Sequence, residues 1–163
     1  MPMCELQLPA DVRGAFGRVF FSPMPYTEEP YDVIEAATRA GVTVVVNLAT
    51  EQEAERQIGR TLDGEYAALG WTTVALPCID GDAPEDDELA EGVATVEKAL
   101  RDSRNVLVHC LIGRGRTGMF LACLVARLGG KNGAQALEYF AVEAPGVMLT
   151  GTQVRAVDRF VAR

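Results

Sequence analysis

Val108-His109-Cys110-Leu111-Ile112-Gly113-Arg114-Gly115-Arg116-Thr117-Gly118 decides how this chain is read, because it joins an apolar strand-like stretch, Asn105 to Val108, to an apolar helix-like stretch, Thr117 to Leu128. A thiol therefore stands where a strand ends, and a loop with two glycines separates it from a helix start. Such a loop can curl until its backbone N–H groups converge on one point, and the helix adds its positive N-terminal dipole. The combination suits a phosphate. It also activates the thiol, since a helix N-terminus and neighbouring cations favour the thiolate.

Outward from this loop, β-type and α-type patterns alternate. Arg18 to Phe21 reads as a short strand closed by Pro23 and Pro25, Tyr31 to Ala40 as a helix ended by Gly41, and Val42 to Leu48 as a strand buried on both faces. Thr50 and Glu53 have capping-box spacing and open a helix toward Gly59; Leu62, Tyr66 and Leu69 mark another ending at Gly70. Trp71 to Leu76 is strand-like, Cys78 to Pro84 has loop composition, and Leu89, Val93, Val96 and Leu100 recur at helical spacing behind the acidic run Glu85 to Glu88. Thr117 to Leu128 is apolar on nearly every side, which predicts a central buried helix, and helices over about Ala134 to Val142 and Thr152 to Ala162 follow. The expected architecture is an α/β single domain over 1–163. It has a mainly parallel central sheet of about four or five strands, flanked by helices on both faces. Ligands in such sheets bind at the carboxyl ends of strands, where Cys110 falls.

Composition narrows the function. The chain has 163 residues, 48% of them hydrophobic, and a formal net charge of −8. That charge argues against DNA or an anionic membrane surface as the general partner, while a single cationic loop can still hold a phosphate. Met1 to Glu5 lacks a basic start followed by an apolar core, and no apolar run reaches the length of a membrane span, so a cytoplasmic protein is expected. Four cysteines, Cys4, Cys78, Cys110 and Cys123, with no C-x-x-C pair, fit reduced thiols and no metal site.

Phosphate monoesters hydrolyse very slowly, so catalysis needs a strong nucleophile, a fixed cradle for the phosphoryl oxygens and a proton for the departing oxygen. Cys110 is the candidate nucleophile. Arg116 is the candidate clamp, because a planar guanidinium offers paired donors at every working pH. Backbone N–H groups of Leu111, Ile112, Gly113, Arg114, Gly115 and Arg116 complete the cradle. Thr117 is placed to donate its hydroxyl to the Cys110 sulfur. His109, the only histidine, is expected to hold the loop through backbone hydrogen bonds. Adjacent strand residues point to opposite faces, so His109 cannot readily act as base to Cys110, which excludes a papain-like hydrolase. Gly113-x-Gly115-x-x-Gly118 also matches a dinucleotide fingerprint, but such a site wants an acidic residue at the end of a following strand, whereas Lys131 to Val142 reads as helical.

His109-Cys110 through Arg116-Thr117 resembles the His-Cys-x5-Arg-Ser/Thr signature of the cysteine-dependent protein tyrosine phosphatase superfamily. Leu76 to Pro84 resembles the acid loop of its dual-specificity branch, particularly the kinase-associated phosphatases that act on cyclin-dependent kinases. The resemblance implies a phosphocysteine intermediate, no metal or other cofactor, and Asp80 as general acid, with Asp82 as the alternative. It implies a phosphorylated protein as substrate, on tyrosine, serine or threonine. Phosphoinositides, inositol phosphates or RNA 5′-phosphates, or phosphate binding without turnover, are the alternatives. Val46-Asn47-Leu48 with Glu51 to Glu55 is similar to the strand and acidic helix that those enzymes place near the site. Gln153 and Phe160 resemble their C-terminal helix, with Gln153 either positioning the hydrolytic water or lying on the helix surface.

Overall fold

The computed structural model describes residues 2–27 and 30–163. Five strands form one sheet: β1 (Cys4–Leu6), β2 (Val19–Ser22), β3 (Val42–Asn47), β4 (Thr72–Ala75) and β5 (Asn105–His109), in the order β1-β2-β5-β3-β4. β1 runs antiparallel to β2, and every other pairing is parallel. Seven helices lie among the described residues: α1 (Val33–Arg39), α2 (Glu51–Ile58), α3 (Asp63–Ala68), α4 (Asp86–Arg101), α5 (Gly115–Gly129), α6 (Gly133–Glu143) and α7 (Gly151–Val161).

Strand alternation splits the core into two layers. Val19, Phe21, Val44, Val46, Val106 and Val108 pack with residues of α4, α5, α6 and α7 on one face. Phe20, Val45 and Leu107 pack with Val33, Ala37, Tyr66 and Trp71 of the α1 to α3 side on the other. A register irregularity between Val42 and Val44 puts Val42 on the same side as Val45. Helix α5 is buried along nearly its whole length, as its all-round apolar sequence predicts.

The sheet is the mainly parallel α/β sheet expected, with two differences. β1 has no sequence signal of its own, because three residues paired at a sheet edge need no hydrophobic run. α5 starts at Gly115, two residues earlier than Thr117, since the Gly118 N–H reaches the Arg114 carbonyl at 2.7 Å and closes a turn that contains both glycine and arginine. Arg116 therefore lies inside the first helical turn.

Register brings four strand ends together. Ser22 and Asn47 both lie opposite His109, and Ala75 lies opposite Asn47, so β2, β3, β4 and β5 finish level. The segments after β2, β3, β4 and β5 converge on Cys110.

Candidate active site

Cys110 follows directly on β5 and is 2% exposed, at the floor of the loop. Its sulfur accepts the Gly113 N–H at 3.2 Å, so the loop does turn its backbone toward the thiol. Gly113 is required for this path: its φ is +77°, and a β-carbon there would lie 2.5 Å from the Ser22 carbonyl oxygen and 2.7 Å from the Pro23 nitrogen. The Arg114 cap of α5 provides no side-chain acceptor, which leaves the first N–H groups of the helix open to a ligand. Ile112 and Arg114 are exposed, while Leu111 and Gly115 are half-buried.

Arg116 is fully buried, and acceptors from three residues, on the segments after β3 and β4, hold it. Nη1 and Nη2 donate to the two carboxylate oxygens of Glu53 at 2.7 and 2.8 Å, while Nη1 also reaches the carbonyls of Cys78 at 2.8 Å and Leu48 at 3.3 Å. Nε has no partner among the described residues, a buried donor left for something else. Burial by itself opposes the charge on Arg116, but the Glu53 hydrogen bonds and charge interactions with Cys110, Glu53 and Asp80 outweigh it and raise its affinity for the proton. Glu53 is held below the usual carboxylate range: burial pushes it up, and the hydrogen bonds from Arg116 and the Thr50 N–H more than reverse this. The capping box read from Thr50 and Glu53 is present, so one carboxylate both starts α2 and orients the guanidinium.

Asp80 is two-thirds exposed, with Oδ1 3.5 Å from Arg116 Nη2, which places it at the mouth of the loop. Asp82 is otherwise engaged, as its carboxylate accepts the Ala83 N–H at 2.9 Å. Of the two acid candidates, only Asp80 is paired with Arg116. Thr117 is fully buried, but its hydroxyl has no hydrogen-bond partner among the described residues, so the bond expected to the Cys110 sulfur is not made here. Gln153 corrects the surface reading: it is 1% exposed, its Oε1 accepts the Thr150 N–H at 3.0 Å, and its Nε2 donates to the Asp82 carbonyl at 3.2 Å.

His109 points to the sheet face opposite Cys110. Its Nδ1 lies 3.0 Å from the Cys110 carbonyl and its Nε2 2.7 Å from the Tyr66 hydroxyl. An Nδ1–H that donates to the carbonyl leaves Nε2 to accept from Tyr66, so the ring is neutral and bridges the loop to α3. Burial is the main reason that its pKa falls to about 4; the Cys110 carbonyl favours the protonated ring, and the Arg116 charge opposes it. Tyr66, stacked on Trp71 with ring centroids 5.8 Å apart, and Glu53 are the site residues whose parts the sequence did not assign. Glu53 carried a usable signal in its capping-box spacing. Tyr66 carried only helical periodicity.

These features define a buried thiol in a glycine-bent loop at the carboxyl end of an α/β sheet. Residues 25–130 match the family described as polymorphic toxin system, DSP-PTPase phosphatase, and the chain belongs to that family. Tyrosine-protein phosphatase cdc-14 of Caenorhabditis elegans is 26% identical over 95 residues, which cover 58% of this chain and only 13% of that protein. The structure of Tk-PTP in the active form superposes with a TM-score of 0.76 at 26% identity, covering 93% of this chain and 99% of that one. Kinase associated phosphatase with its catalytic cysteine replaced by serine gives a TM-score of 0.84 at 19% identity, over 100% of this chain and 98% of its own, a likeness of fold. Among the described residues no cluster of metal-ligating side chains occurs, and no helix is long and apolar enough to cross a membrane.

Proposed function

We propose that this chain hydrolyses phosphomonoesters on proteins, at phosphotyrosine and at phosphoserine or phosphothreonine, through a phosphocysteine intermediate. The Cys110 sulfur attacks phosphorus in line with the ester oxygen. The P–O bond breaks as Asp80 gives its proton to the departing oxygen. Arg116 and the N–H groups from Leu111 to Arg116 carry the charge on the equatorial oxygens. Water then attacks the phosphocysteine, Asp80 takes a proton from that water, and the S–P bond breaks to release phosphate and the Cys110 thiolate. A phosphoryl group seated on Arg116 replaces the 3.5 Å carboxylate contact, which frees Asp80 for the leaving oxygen.

The observation that carries this reading is the buried Arg116, pinned by Glu53 and left with an unpaired Nε, at the start of the helix whose preceding loop gives an N–H to the Cys110 sulfur. Protein substrates are favoured by the side chains around the mouth. Ile79 beside Asp80, Ile112 within the loop, and Met148, whose carbonyl oxygen faces Gly115, are exposed large hydrophobics. A polypeptide has apolar side chains to lay on such residues, whereas a polyanionic headgroup or RNA end would meet acidic Asp80, Asp82 and Glu85 beside the single exposed cation of the loop, Arg114.

The test compares wild type with Cys110→Ser and Asp80→Ala on p-nitrophenyl phosphate, phosphopeptides and phosphoinositides. Turnover is expected to vanish in Cys110→Ser. Retained hydrolysis there ends the proposal, and a preference for phosphoinositides over every phosphopeptide ends its protein-directed part.

A further inference from the structure

Asp80 rides on a stretch, Pro77 to Pro84, with neither helix nor strand, yet a general acid must stay within hydrogen-bond reach of the leaving oxygen. Two hydrogen bonds fix this loop to the start of α7. The Thr150 hydroxyl donates to the Gly81 carbonyl at 2.6 Å, and Gln153 Nε2 donates to the Asp82 carbonyl at 3.2 Å. Both acceptors belong to the two residues that follow Asp80.

The same two side chains form the capping box of α7. Thr150 Oγ1 accepts the Gln153 N–H at 3.2 Å, and Gln153 Oε1 accepts the Thr150 N–H at 3.0 Å. Each group thus spends its acceptor on its own helix and its donor on the acid loop. Gln153 also packs on the phosphate loop, since a β-carbon on Gly115 would lie 3.2 Å from its Oε1 and 3.3 Å from its Nε2. The buried amide therefore touches both the loop that carries the acid and the turn that carries Arg116.

We infer that Thr150 and Gln153 are positioning residues that latch the acid loop onto α7 and so hold Asp80 over the Cys110 sulfur. This rests on the reading of Asp80 as general acid. The latch acts through Asp80 and touches neither the sulfur nor the phosphoryl group.

The capping box allows the donors to be removed without the caps. Gln153→Glu keeps a carboxylate oxygen for the Thr150 N–H and turns the other toward the Asp82 carbonyl, where no donor remains. Thr150→Asp keeps a good N-cap acceptor and loses the hydroxyl proton that Gly81 receives. Thr150→Ser retains both functions and serves as the conservative rescue.

The measurement is kcat/KM over phosphomonoesters whose leaving groups run from p-nitrophenol to simple alkyl alcohols. Loss of the acid hurts poor leaving groups most. Both donor-removing variants should lose about tenfold more activity on alkyl than on p-nitrophenyl esters, part of the 10²–10⁴-fold that a positioned acid supplies. Their plots of log kcat/KM against leaving-group pKa should steepen toward that of Asp80→Ala, while Thr150→Ser follows wild type. The basic limb of the pH profile should flatten in step. A wild-type slope in both variants overturns the latch, and so does a uniform loss on all esters, which would mean damage to a common step. If Asp80→Ala itself has the wild-type slope, the acid reading fails first, and the latch with it. Failure of one variant to fold leaves the other to decide.

Discussion

Acidification from pH 6.5 to pH 4 should remove about 3 kcal/mol of folding stability through His109 alone. In the native protein the ring is fully buried, hydrogen-bonded on both nitrogens and resists protonation until about pH 4; in the unfolded chain it takes up its proton near the ordinary value of 6.5. Between these values the unfolded state binds the extra proton, so stability rises with pH across the window. The contribution is complete above 6.5 and lost as pH falls through 4. The gap between 6.5 and about 4, at 1.36 kcal/mol per pH unit, gives the figure above, a large share of the roughly 5–15 kcal/mol that holds a domain folded. His109 is the only histidine, so its imidazole C2 proton can be followed by NMR in the native and urea-unfolded states without assignment, beside urea unfolding at each pH. Tyr66→Phe supplies the internal control. Removing the donor leaves the buried Nε2 without a partner and costs about 1–2 kcal/mol at neutral pH, while burial, the main cause of the lowered pKa, keeps the window open. A native imidazole that titrates near 6.5 would refute the reasoning.

Three further outcomes follow from the site. Glu53→Ala removes the carboxylate partner of the buried Arg116 and the N3 half of a capping box, and should cost about 3 kcal/mol in urea unfolding together with a fall in kcat/KM; unchanged activity would show that the guanidinium needs no support from behind. Gly113→Ala meets both a left-handed φ and the Ser22 carbonyl, so it should destabilise by at least about 2 kcal/mol and abolish turnover, and a stable, active variant would contradict the described loop path. Burial pushes the Cys78 and Cys123 thiols up to about 12, so peptide mapping after iodoacetamide at pH 7.5 should find both largely unmodified; labelling of Cys78 as fast as glutathione would overturn this.

The parts of this fold visible in the sequence are those set by local chemistry. Val44 to Val46 and Val106 to Val108 are buried on both faces, and unbroken β-branched or apolar runs say so directly. Helix ends were readable where one residue fixes them, as at Gly41 and Gly59, both in the left-handed region. The placement of His109, Cys110 and Arg116 around one turn was readable because spacing on one short segment confines them. β1 was hidden because its order comes from pairing with β2 across the chain. Gln153 was misleading for the same reason: amphipathic periodicity leaves its face open, and only the packing of α7 against Gly115 and the acid loop shows that its amide is enclosed. Glu53 and Tyr66 meet Arg116 and His109 across 63 and 43 residues, separations at which no motif constrains a partner.

The arrangement of Arg116 explains why so many of the site's parts are structural. A buried guanidinium is costly to desolvate, and the Glu53 carboxylate with the Leu48 and Cys78 carbonyls offsets that cost during folding. Those same contacts fix Nε in place, so on the proposed mechanism phosphate binding need not order the side chain. Because the holders come from the segments after β3 and β4, and the arginine from the turn after β5, the clamp exists only when the three parallel strands are in register. A substitution that slips β3 against β5 would leave every one of these side chains in the chain and still dismantle the site, so the proposed turnover should be lost together with the fold.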